Sequence, residues 1–178
     1  KQIDLTVEGS EVEVDREMVE ALRDPLTHIL RNAADHGIEY ADERRALGKD
    51  PVGRIHVQAR QSGNQILIEI KDDGRGIDVE KLGQKAIARK LYTHSQWQQL
   101  SDRAKLETIF APGLTTADSV TSISGRGVGM DVVRTNMSSI GGSIDLESEE
   151  GHGLRITLRL PLTLSIIAGL SLRAGGQT

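Results

Sequence analysis

Four segments of the chain alternate between apolar and polar residues with the period of two that is typical of β-strands. Their apolar positions are Ile55, Val57 and Ala59; Ile66, Ile68 and Ile70; Ile144 and Leu146; and Leu154, Ile156, Leu158 and Leu160. Residues 3–14 also alternate and predict short strands around Gly9 and Ser10. Strands with one apolar and one polar face occur in antiparallel or mixed sheets covered on one side. The pattern therefore predicts an α/β (α+β) two-layer sandwich: a mixed, mostly antiparallel sheet with helices on one face.

Apolar residues spaced three and four positions apart predict the helices that would cover this sheet. Asp15 is a candidate N-cap for a first helix, which ends at Arg23, and Asp24 and Pro25 are typical of the start of a second helix, which ends at Gly37. Further helical segments are predicted over residues 40–48, over 79–111 with a break at 93–95, and after a glycine-rich loop, with an apolar stripe of Val128, Val132, Val133, Met137 and Ile140.

Length and composition limit the classes of function. The 178 residues are enough for one domain with a sizeable core. The 22 basic and 26 acidic residues leave a net charge of -4, and no basic patch indicates nucleic acid. The absence of cysteine excludes disulfides and thiolate metal sites. No apolar run is long enough to cross a membrane and no signal peptide is visible, so we expect a cytoplasmic protein without membrane insertion.

The second predicted helix carries an apolar stripe and, opposite to it, a polar stripe. His28, Asn32 and Asp35 lie on the polar stripe at positions i, i+4 and i+7, with His36 at its margin. Most such stripes are faces exposed to solvent, and for the helix alone this interpretation stays open. A solvent-exposed face usually carries Lys, Glu and Gln, however, and an Asn carbonyl oxygen is a suitable ligand for Mg²⁺. The stripe is therefore a candidate metal site.

An acid–glycine turn follows the second alternating strand. Asp72 has the same parity as Ile70, so its side chain should point into the buried layer, whereas Asp73 should point outward. A buried carboxylate requires a hydrogen-bond donor, and the exocyclic amine of adenine is a suitable one. Gly74 and Gly76 allow the backbone to approach an adenine ring or to adopt a positive φ. The alternative is a tight Asp-Gly turn without a ligand, in which Asp72 caps a helix.

A second glycine-rich loop contains Gly125, Gly127 and Gly129 and leads directly into the last predicted helix. The free N–H groups and positive dipole at a helix N-terminus suit phosphates, and Arg126 adds positive charge. The loop lacks the Gly-Lys-Ser/Thr ending of a P-loop, and it does not follow a strand as the dinucleotide-binding fingerprint does. A flexible hinge is the alternative interpretation.

Together and in this order, these segments resemble the ATP-binding catalytic domain of CheA-type chemotaxis histidine kinases, and the resemblance covers nearly the whole chain. It rests on His28-Ile-Leu-Arg-Asn-Ala-Ala-Asp-His-Gly-Ile-Glu39, Asp72-Asp-Gly-Arg-Gly-Ile-Asp78, Phe110-Ala-Pro-Gly-Leu-Thr-Thr116, Ser124-Gly-Arg-Gly-Val-Gly-Met-Asp-Val-Val133 and Leu160-Pro-Leu-Thr-Leu164. The resemblance implies the Bergerat (GHKL) ATPase fold. It also implies a histidine kinase catalytic domain over residues 1–162, with 163–178 as the start of a junction to a regulatory (coupling) domain.

The resemblance further implies roles for individual residues. The expected catalytic residues are His28, Asn32, Asp35 and His36; Asn32 is a metal ligand, and His28 is either a second metal ligand or a phosphate contact. The expected nucleotide contacts are Asn32, Asp35, His36, Lys81 and Lys85 on the phosphate side; Asp72, Gly74 and Gly76 at the adenine; and Thr115, Thr116, Ser124, Gly125, Arg126, Gly127, Val128, Gly129 and Met130 in a lid over the nucleotide. The cofactors implied are ATP and Mg²⁺.

One departure from the family pattern and one difference from the wider group of ATPases bear on the expected activity. The last glycine box reads Gly151-His-Gly-Leu154, where the family usually has Gly-x-Gly-Thr, so a hydroxyl that could help to hold the nucleotide is missing. His28 occupies the position four residues before Asn32, where ATPases of the wider group, which contains Hsp90, gyrase B and MutL, place a Glu as general base for water. We therefore predict a protein-histidine kinase rather than a hydrolase.

The expected reaction is transfer of the γ-phosphoryl group of Mg-ATP to a histidine on a separate phosphoacceptor domain, in trans, in chemotaxis-type two-component signalling. For the full-length protein, the resemblance implies a dimerisation domain, a coupling protein, chemoreceptors and response regulators as partners, whereas this fragment is expected to be monomeric. The alternative from another class is a nucleotide-binding regulatory module with little or no catalysis. An ATP-gated dimerising clamp is a third, weaker interpretation.

Overall fold

A computed structural model describes residues 1–9, 11–114 and 129–162 of the chain. In this part, one mixed sheet has the strand order β1-β2-β3-β5-β4. The strands are β1 (Ile3–Glu8), β2 (Gly53–Ser62), β3 (Gln65–Asp72), β4 (Ser143–Glu149) and β5 (Gly153–Pro161). β1 pairs with β2 in parallel, and the other neighbouring pairs are antiparallel. The predicted mixed, mostly antiparallel sheet is confirmed.

The register of the two central strands places their apolar residues directly opposite one another. Ile66, Ile68 and Ile70 of β3 pair with three residues of β5, and all six are buried. Those residues are Leu160, Leu158 and Ile156, respectively. A slip of one residue would turn every one of these side chains to the other face of the sheet, so burial specifies this register strongly.

Six α-helices lie in the described part of the chain. They are α1 (Arg16–Asn32), α2 (Ala41–Ala46), α3 (Val79–Ala88), α4 (His94–Gln99), α5 (Asp102–Glu107) and α6 (Met130–Ser139). A π-helical turn, Ala33–Gly37, continues α1, and a 3-10 turn, Thr108–Phe110, follows α5. The main core joins α1 and α6 to the sheet, and a smaller cluster of Leu82, Ala86, Trp97 and Leu114 packs α3 against α4.

The prediction of two helices on either side of Asp24 and Pro25 is wrong, because α1 continues through Pro25. A proline inside a helix removes one backbone hydrogen bond and costs about 3 kcal/mol. Met18, Leu22 and Ile29, together with Pro25, form one buried face of the helix. Each apolar side chain contributes roughly 1.5–3 kcal/mol when it is fully buried, so packing outweighs the local penalty.

Two smaller predictions also differ from the structure. The alternating residues 3–14 form only one strand, β1, and residues 11–14 belong to no strand. In α6 the buried residues are Met130, Val133 and Met137, whereas Val132 is 37% exposed. The helix begins at Met130, so its inward stripe follows the spacing 130, 133 and 137, which excludes Val132.

Candidate functional site

Near its C-terminal end, α1 places the predicted His28 and Asn32 against the start of α6. The Nδ2 atom of Asn32 lies 2.9 Å from Nε2 of His28 and 3.7 Å from Sδ of Met130. Because an amide nitrogen can only donate, Nε2 of His28 accepts this hydrogen bond. Among the described residues, nothing donates to the carbonyl oxygen Oδ1 of Asn32. The pair therefore orients the Asn32 amide and leaves its oxygen available to a ligand.

The surroundings of His28 favour its neutral form. Burial lowers the pKa of His28 below its ordinary value, and the positive charge of Arg31 lowers this pKa further. The carboxylate of Asp131, in the first turn of α6, acts in the opposite direction. A neutral imidazole at pH 7 agrees with the acceptor role of Nε2 toward Asn32.

The acidic residue and the basic residue predicted to follow Asn32 in the site, Asp35 and His36, do not continue its α-helical stripe. Asp35 and His36 lie in the π-helical turn, where the backbone N–H of Ile38 bonds to the carbonyl of Ala33 at 2.8 Å. Such a turn holds more residues than an α-helical turn, so the predicted i+3 relation between Asn32 and Asp35 does not hold. Both side chains are exposed.

Asp72 ends β3 with its carboxylate inside the protein, as its parity predicts. Its side chain is 4% exposed, and its Oδ1 accepts a hydrogen bond of 2.9 Å from the backbone N–H of Gly74. Burial raises the pKa of Asp72 to about 6, although the backbone amides of Gly74 and Leu154 favour the charged form. The negative charges of Asp73 and Glu39 raise this pKa further. The prediction that Asp72 points inward is confirmed.

Gly37 joins the end of the π-helical turn to the Asp72 turn. The backbone N–H of Arg75 donates to the carbonyl of Gly37 at 2.9 Å. A Cβ added at Gly74 would overlap that same carbonyl oxygen, whereas a Cβ added at Gly37 would lie 3.5 Å from Oδ2 of Asp72. Glycine at position 74 is therefore a packing requirement, and glycine at position 37 leaves the space beside Oδ2 of Asp72 without a side chain.

The second glycine of the turn is required by its backbone conformation. Gly76 has a φ of +69°, and a Cβ there would overlap the carbonyl of Glu149. The backbone N–H of Ile77 donates to Oγ of Ser148 at 2.8 Å, and the N–H of Gly151 donates to the carbonyl of Arg75 at 2.7 Å. The end of β4 and the turn that follows it thus support residues 75–77 from the other side.

A buried charge cluster behind the Asp72 turn was not predicted from the sequence. It consists of Glu39, Arg44, Lys49 and Asp73; Glu39 and Arg44 are each only 1% exposed. The next residue of α2, Arg45, has a side chain that is 60% exposed. No periodicity in so short a helix distinguishes Arg44 from Arg45, so the sequence carried no signal for this cluster.

The two predicted lysines, Lys81 and Lys85, lie on α3. Lys81 has an exposed side chain whose Nζ lies 2.9 Å from Oδ2 of Asp78, the N-cap residue of that helix. Lys85 is also exposed. Within the described residues, no hydrogen bond or ion pair joins Lys81 to His28 or Asn32. The structure therefore does not bring Lys81 into the His28–Asn32 pair.

Part of the predicted lid lies outside the described residues. These positions are Thr115, Thr116, Ser124, Gly125, Arg126, Gly127 and Val128. Gly129 is buried and is the N-cap residue of α6, and Met130 begins that helix beside Asn32. The end of the predicted phosphate-binding loop therefore arrives next to the candidate metal ligand.

No helix in the described segments is long and apolar enough to cross a membrane. The same segments contain no group of three His, Cys, Asp or Glu residues that could hold a metal ion. With Nε2 of the neutral His28 accepting from Asn32, no lone pair of that ring is left for a metal in this arrangement. A metal at Asn32 would therefore need phosphate oxygens and water for the rest of its ligands, which is how proteins usually bind Mg²⁺.

Comparison with known proteins identifies the family. The family described as "Histidine kinase-, DNA gyrase B-, and HSP90-like ATPase" matches residues 21–164. A gliding motility regulatory protein of Myxococcus xanthus is 47% identical over 175 residues, which is 98% of this chain and 22% of that protein. The chemotaxis protein CheA of Bacillus subtilis is 43% identical over 178 residues, which is 100% of this chain and 26% of that protein.

The fold agrees with a solved structure, the catalytic domain of the histidine kinase ThkA. The TM-score is 0.53 at 20% sequence identity, over 90% of this chain and 79% of that one. The chain spans about a quarter of the length of the two curated relatives, 22% and 26%. The resemblance to the catalytic domain of CheA-type kinases is confirmed, and the chain belongs to the histidine kinase-, DNA gyrase B- and HSP90-like ATPase family.

Proposed function

We propose that this chain binds Mg-ATP and transfers the γ-phosphoryl group to a histidine on a separate phosphoacceptor domain. The observation that carries the proposal is the contact at Gly37, which joins the end of the helix bearing Asn32 to the buried Asp72 turn. A direct backbone hydrogen bond, from Arg75 to Gly37, therefore links the segment that follows the candidate metal ligand Asn32 to the turn that holds the candidate adenine acceptor Asp72.

The chemistry at Asp72 supports recognition of adenine. At pH 7 a carboxyl group with a pKa of about 6 is mostly ionised, so it accepts hydrogen bonds. Gly74 occupies Oδ1 from within the turn, and Gly37 places no side chain against Oδ2. An exocyclic amine placed there would relieve the cost of a buried charge.

The chemistry at Asn32 supports a magnesium-bound phosphate group. The carbonyl oxygen of Asn32 has no protein donor in the described part of the chain, and a neutral His28 orients the amide. When bound, Mg²⁺ would neutralise charge on the phosphates. Asp35, His36, Lys81, Lys85 and the loop that ends at Met130 remain proposed phosphate-side contacts.

The identity of residue 28 favours transfer to a protein histidine over hydrolysis. Nε2 of His28 already accepts a hydrogen bond from Asn32, and its lowered pKa makes it a weak base toward water. In the proposed reaction the bond between the γ-phosphorus and the oxygen of ADP breaks, a bond to the acceptor imidazole nitrogen forms, and the acceptor loses a proton. Positioning and charge stabilisation supply most of the catalysis of such transfers.

The proposed partners of the kinase are those that the resemblance to CheA-type kinases implies for the full-length protein. They are a phosphoacceptor histidine domain, a dimerisation domain, a coupling protein, chemoreceptors and response regulators. The kinase itself is proposed to lie in the cytoplasm. We place the catalytic domain at residues 1–162 and the start of the junction to a regulatory domain at 163–178, which lies outside the described residues. The isolated chain is proposed to be a monomer.

A second candidate function, a nucleotide-binding module with little catalysis, is favoured by one observation. Leu154 replaces the hydroxyl-bearing residue of the last glycine box. Its backbone amide still favours ionised Asp72, because that contact does not depend on the side chain. Turnover with an acceptor domain separates the two candidates: binding of ATP without phosphorylation of the acceptor would support the module and exclude the kinase.

The test of the kinase is phosphotransfer from labelled Mg-ATP to the acceptor domain of the same full-length protein. We expect Asn32→Asp and Asn32→Ala to abolish most transfer, because both change the neutral oxygen ligand. The matched control is Asn64→Asp in the β2–β3 turn, where Asn64 is exposed, and this variant should behave as the wild type. Normal transfer by either Asn32 variant would contradict the metal assignment, and labelling of this fragment by itself would contradict transfer in trans.

A further inference from the structure

The buried charge cluster of Glu39, Arg44, Lys49 and Asp73 is bonded to the backbone of the Asp72 turn. The Nζ atom of Lys49 donates to the carbonyls of Asp73 and Gly74 at 3.1 and 2.8 Å. Arg44 donates to the carbonyl of Asp73 at 3.2 Å and to its Oδ2 at 2.9 Å. Two cationic side chains therefore hold the two residues that follow Asp72.

Glu39 fixes the position of both cations. Its Oε2 accepts a hydrogen bond of 2.8 Å from Arg44, and its Oε1 accepts one of 2.7 Å from Lys49. The carboxylate of Asp73 completes the cluster, because its Oδ1 accepts from the backbone N–H of Arg54 on β2 at 2.8 Å. The cluster contains two positive and two negative groups, and its two carboxylates, Asp73 and Glu39, raise the pKa of the neighbouring Asp72.

The turn itself has little stiffness of its own. Gly74 and Gly76 are the residues with the greatest backbone freedom, and both stand within four residues of Asp72. Buried ion pairs add little stability compared with apolar residues of the same volume. What apolar residues could not supply is a set of directed hydrogen bonds to the carbonyls of residues 73 and 74.

We infer that Lys49 and Arg44 are positioning residues, which hold the 73–74 backbone so that Asp72 meets the adenine amine in a fixed direction. The inference rests on the proposed function, since it assumes that Asp72 receives adenine. The two cations act on the bound nucleotide only through the turn and touch neither the nucleotide nor the metal. Their loss should therefore weaken ground-state and transition-state binding equally, which raises KM for ATP and leaves kcat unchanged.

The first variant to test is Lys49→Met, which keeps most of the aliphatic stem and removes the donor. Lys49 is 19% exposed and Glu39 keeps Arg44, so we expect the variant to fold. The matched control is Lys90→Met, which replaces an exposed lysine after α3. Calorimetry with Mg-ADP should show binding weakened by up to about 10- to 100-fold for Lys49→Met, the effect of losing the proposed hydrogen bond between adenine and the charged Asp72. Lys90→Met should match the wild type.

Two further readouts separate positioning from a general structural role. In the full-length protein with its acceptor domain, Lys49→Met should raise KM for ATP without changing kcat. Hydrogen exchange should become faster at the amides of Gly74 and Arg75, which bond to Asp72 and Gly37, and should stay unchanged in the strands. Arg44→Lys keeps the charge but loses the guanidinium fork. It should raise KM and speed hydrogen exchange in the turn as well, but by less. This second variant provides the test if Lys49→Met does not fold.

Each outcome decides the question. A folded Lys49→Met or Arg44→Lys variant with wild-type affinity for Mg-ADP would overturn the inference and leave the proposed function standing. A fall in kcat at unchanged KM would overturn it as well, because it would place these groups in the chemical step. Absence of Mg-ADP binding by the wild-type chain would refute the proposed function itself, and the positioning role with it.

Discussion

Replacing the buried Asp72 with Asn should make the empty domain more stable and its nucleotide binding weaker. The ionised carboxylate is 4% exposed and lacks a cationic partner among the groups that shift its pKa. Asn has nearly the same shape and can keep the hydrogen bond from Gly74 through its oxygen. At the position of Oδ2, however, Asn would present an NH₂ group to the exocyclic amine of adenine, and both of these groups are donors.

The size of the stability effect follows from the pKa of Asp72. Folding raises this pKa from 3.8 to about 6, which corresponds to about 3 kcal/mol. The folded state therefore binds more protons than the unfolded state between these two values, so the contribution of Asp72 to the free energy of unfolding falls as pH rises through this window. Above pH 6 the full cost is present, and below pH 3.8 none of it remains.

The assay is chemical and thermal unfolding at pH 7 and pH 5, with calorimetry of an ATP analogue in the presence and absence of Mg²⁺. At pH 7 we expect Asp72→Asn to gain up to about 3 kcal/mol, or roughly 6–12 °C in Tm, with a smaller gain at pH 5. Affinity should fall by about 10- to 100-fold, since hydrogen bonds to charged groups contribute about 1.5–3 kcal/mol.

The control for this substitution is Asp4→Asn on the edge strand β1, where the side chain is exposed. It should change neither stability nor binding. A variant Asp72→Asn that is less stable than the wild type at pH 7, or that binds the nucleotide normally, would refute the reasoning from burial and the adenine assignment, respectively.

Three other substitutions test separate parts of the site. Gly37→Ala should fold normally, because its Cβ would make ordinary contacts of 3.5–3.6 Å with the Asp72 carboxylate, but it should lower ATP affinity about tenfold by covering that group; unchanged affinity would show that the ligand does not approach there. His28→Gln should remove the loss of stability that the wild type shows as pH falls below 6.5, since the folded-state pKa of His28 lies below that value. If urea unfolding gives the same change in the free energy of unfolding between pH 7.5 and pH 5.5 for the wild type and the variant, this prediction is wrong. Leu154→Thr should bind ATP several-fold more tightly through the restored hydroxyl. If calorimetry shows no gain in affinity, the missing hydroxyl does not weaken ATP binding.

The local patterns of the sequence were sufficient for the strands of the sheet and for each half of the site taken separately. Alternation of apolar residues continues from Ile70 to Asp72, so parity alone predicted a buried carboxylate at the end of a strand. The same applies to His28 and Asn32, whose spacing of four places them together on any α-helix. These features follow from the period of a single strand or helix, which fixes the face on which each residue lies.

The remaining features were decided by contacts between residues far apart in sequence. Pro25 stays inside α1 because burial of one helix face outweighs a lost hydrogen bond, and a local rule cannot weigh that burial. Arg44 is buried and Arg45 exposed because only the former reaches Glu39 and the distant Asp73. The contact of Gly37 with the Asp72 turn likewise joins residues more than thirty positions apart. The sequence by itself determined which residues have the chemistry for nucleotide binding, and only tertiary packing decided how the two halves of the site meet, since no local period encodes a pairing across that distance.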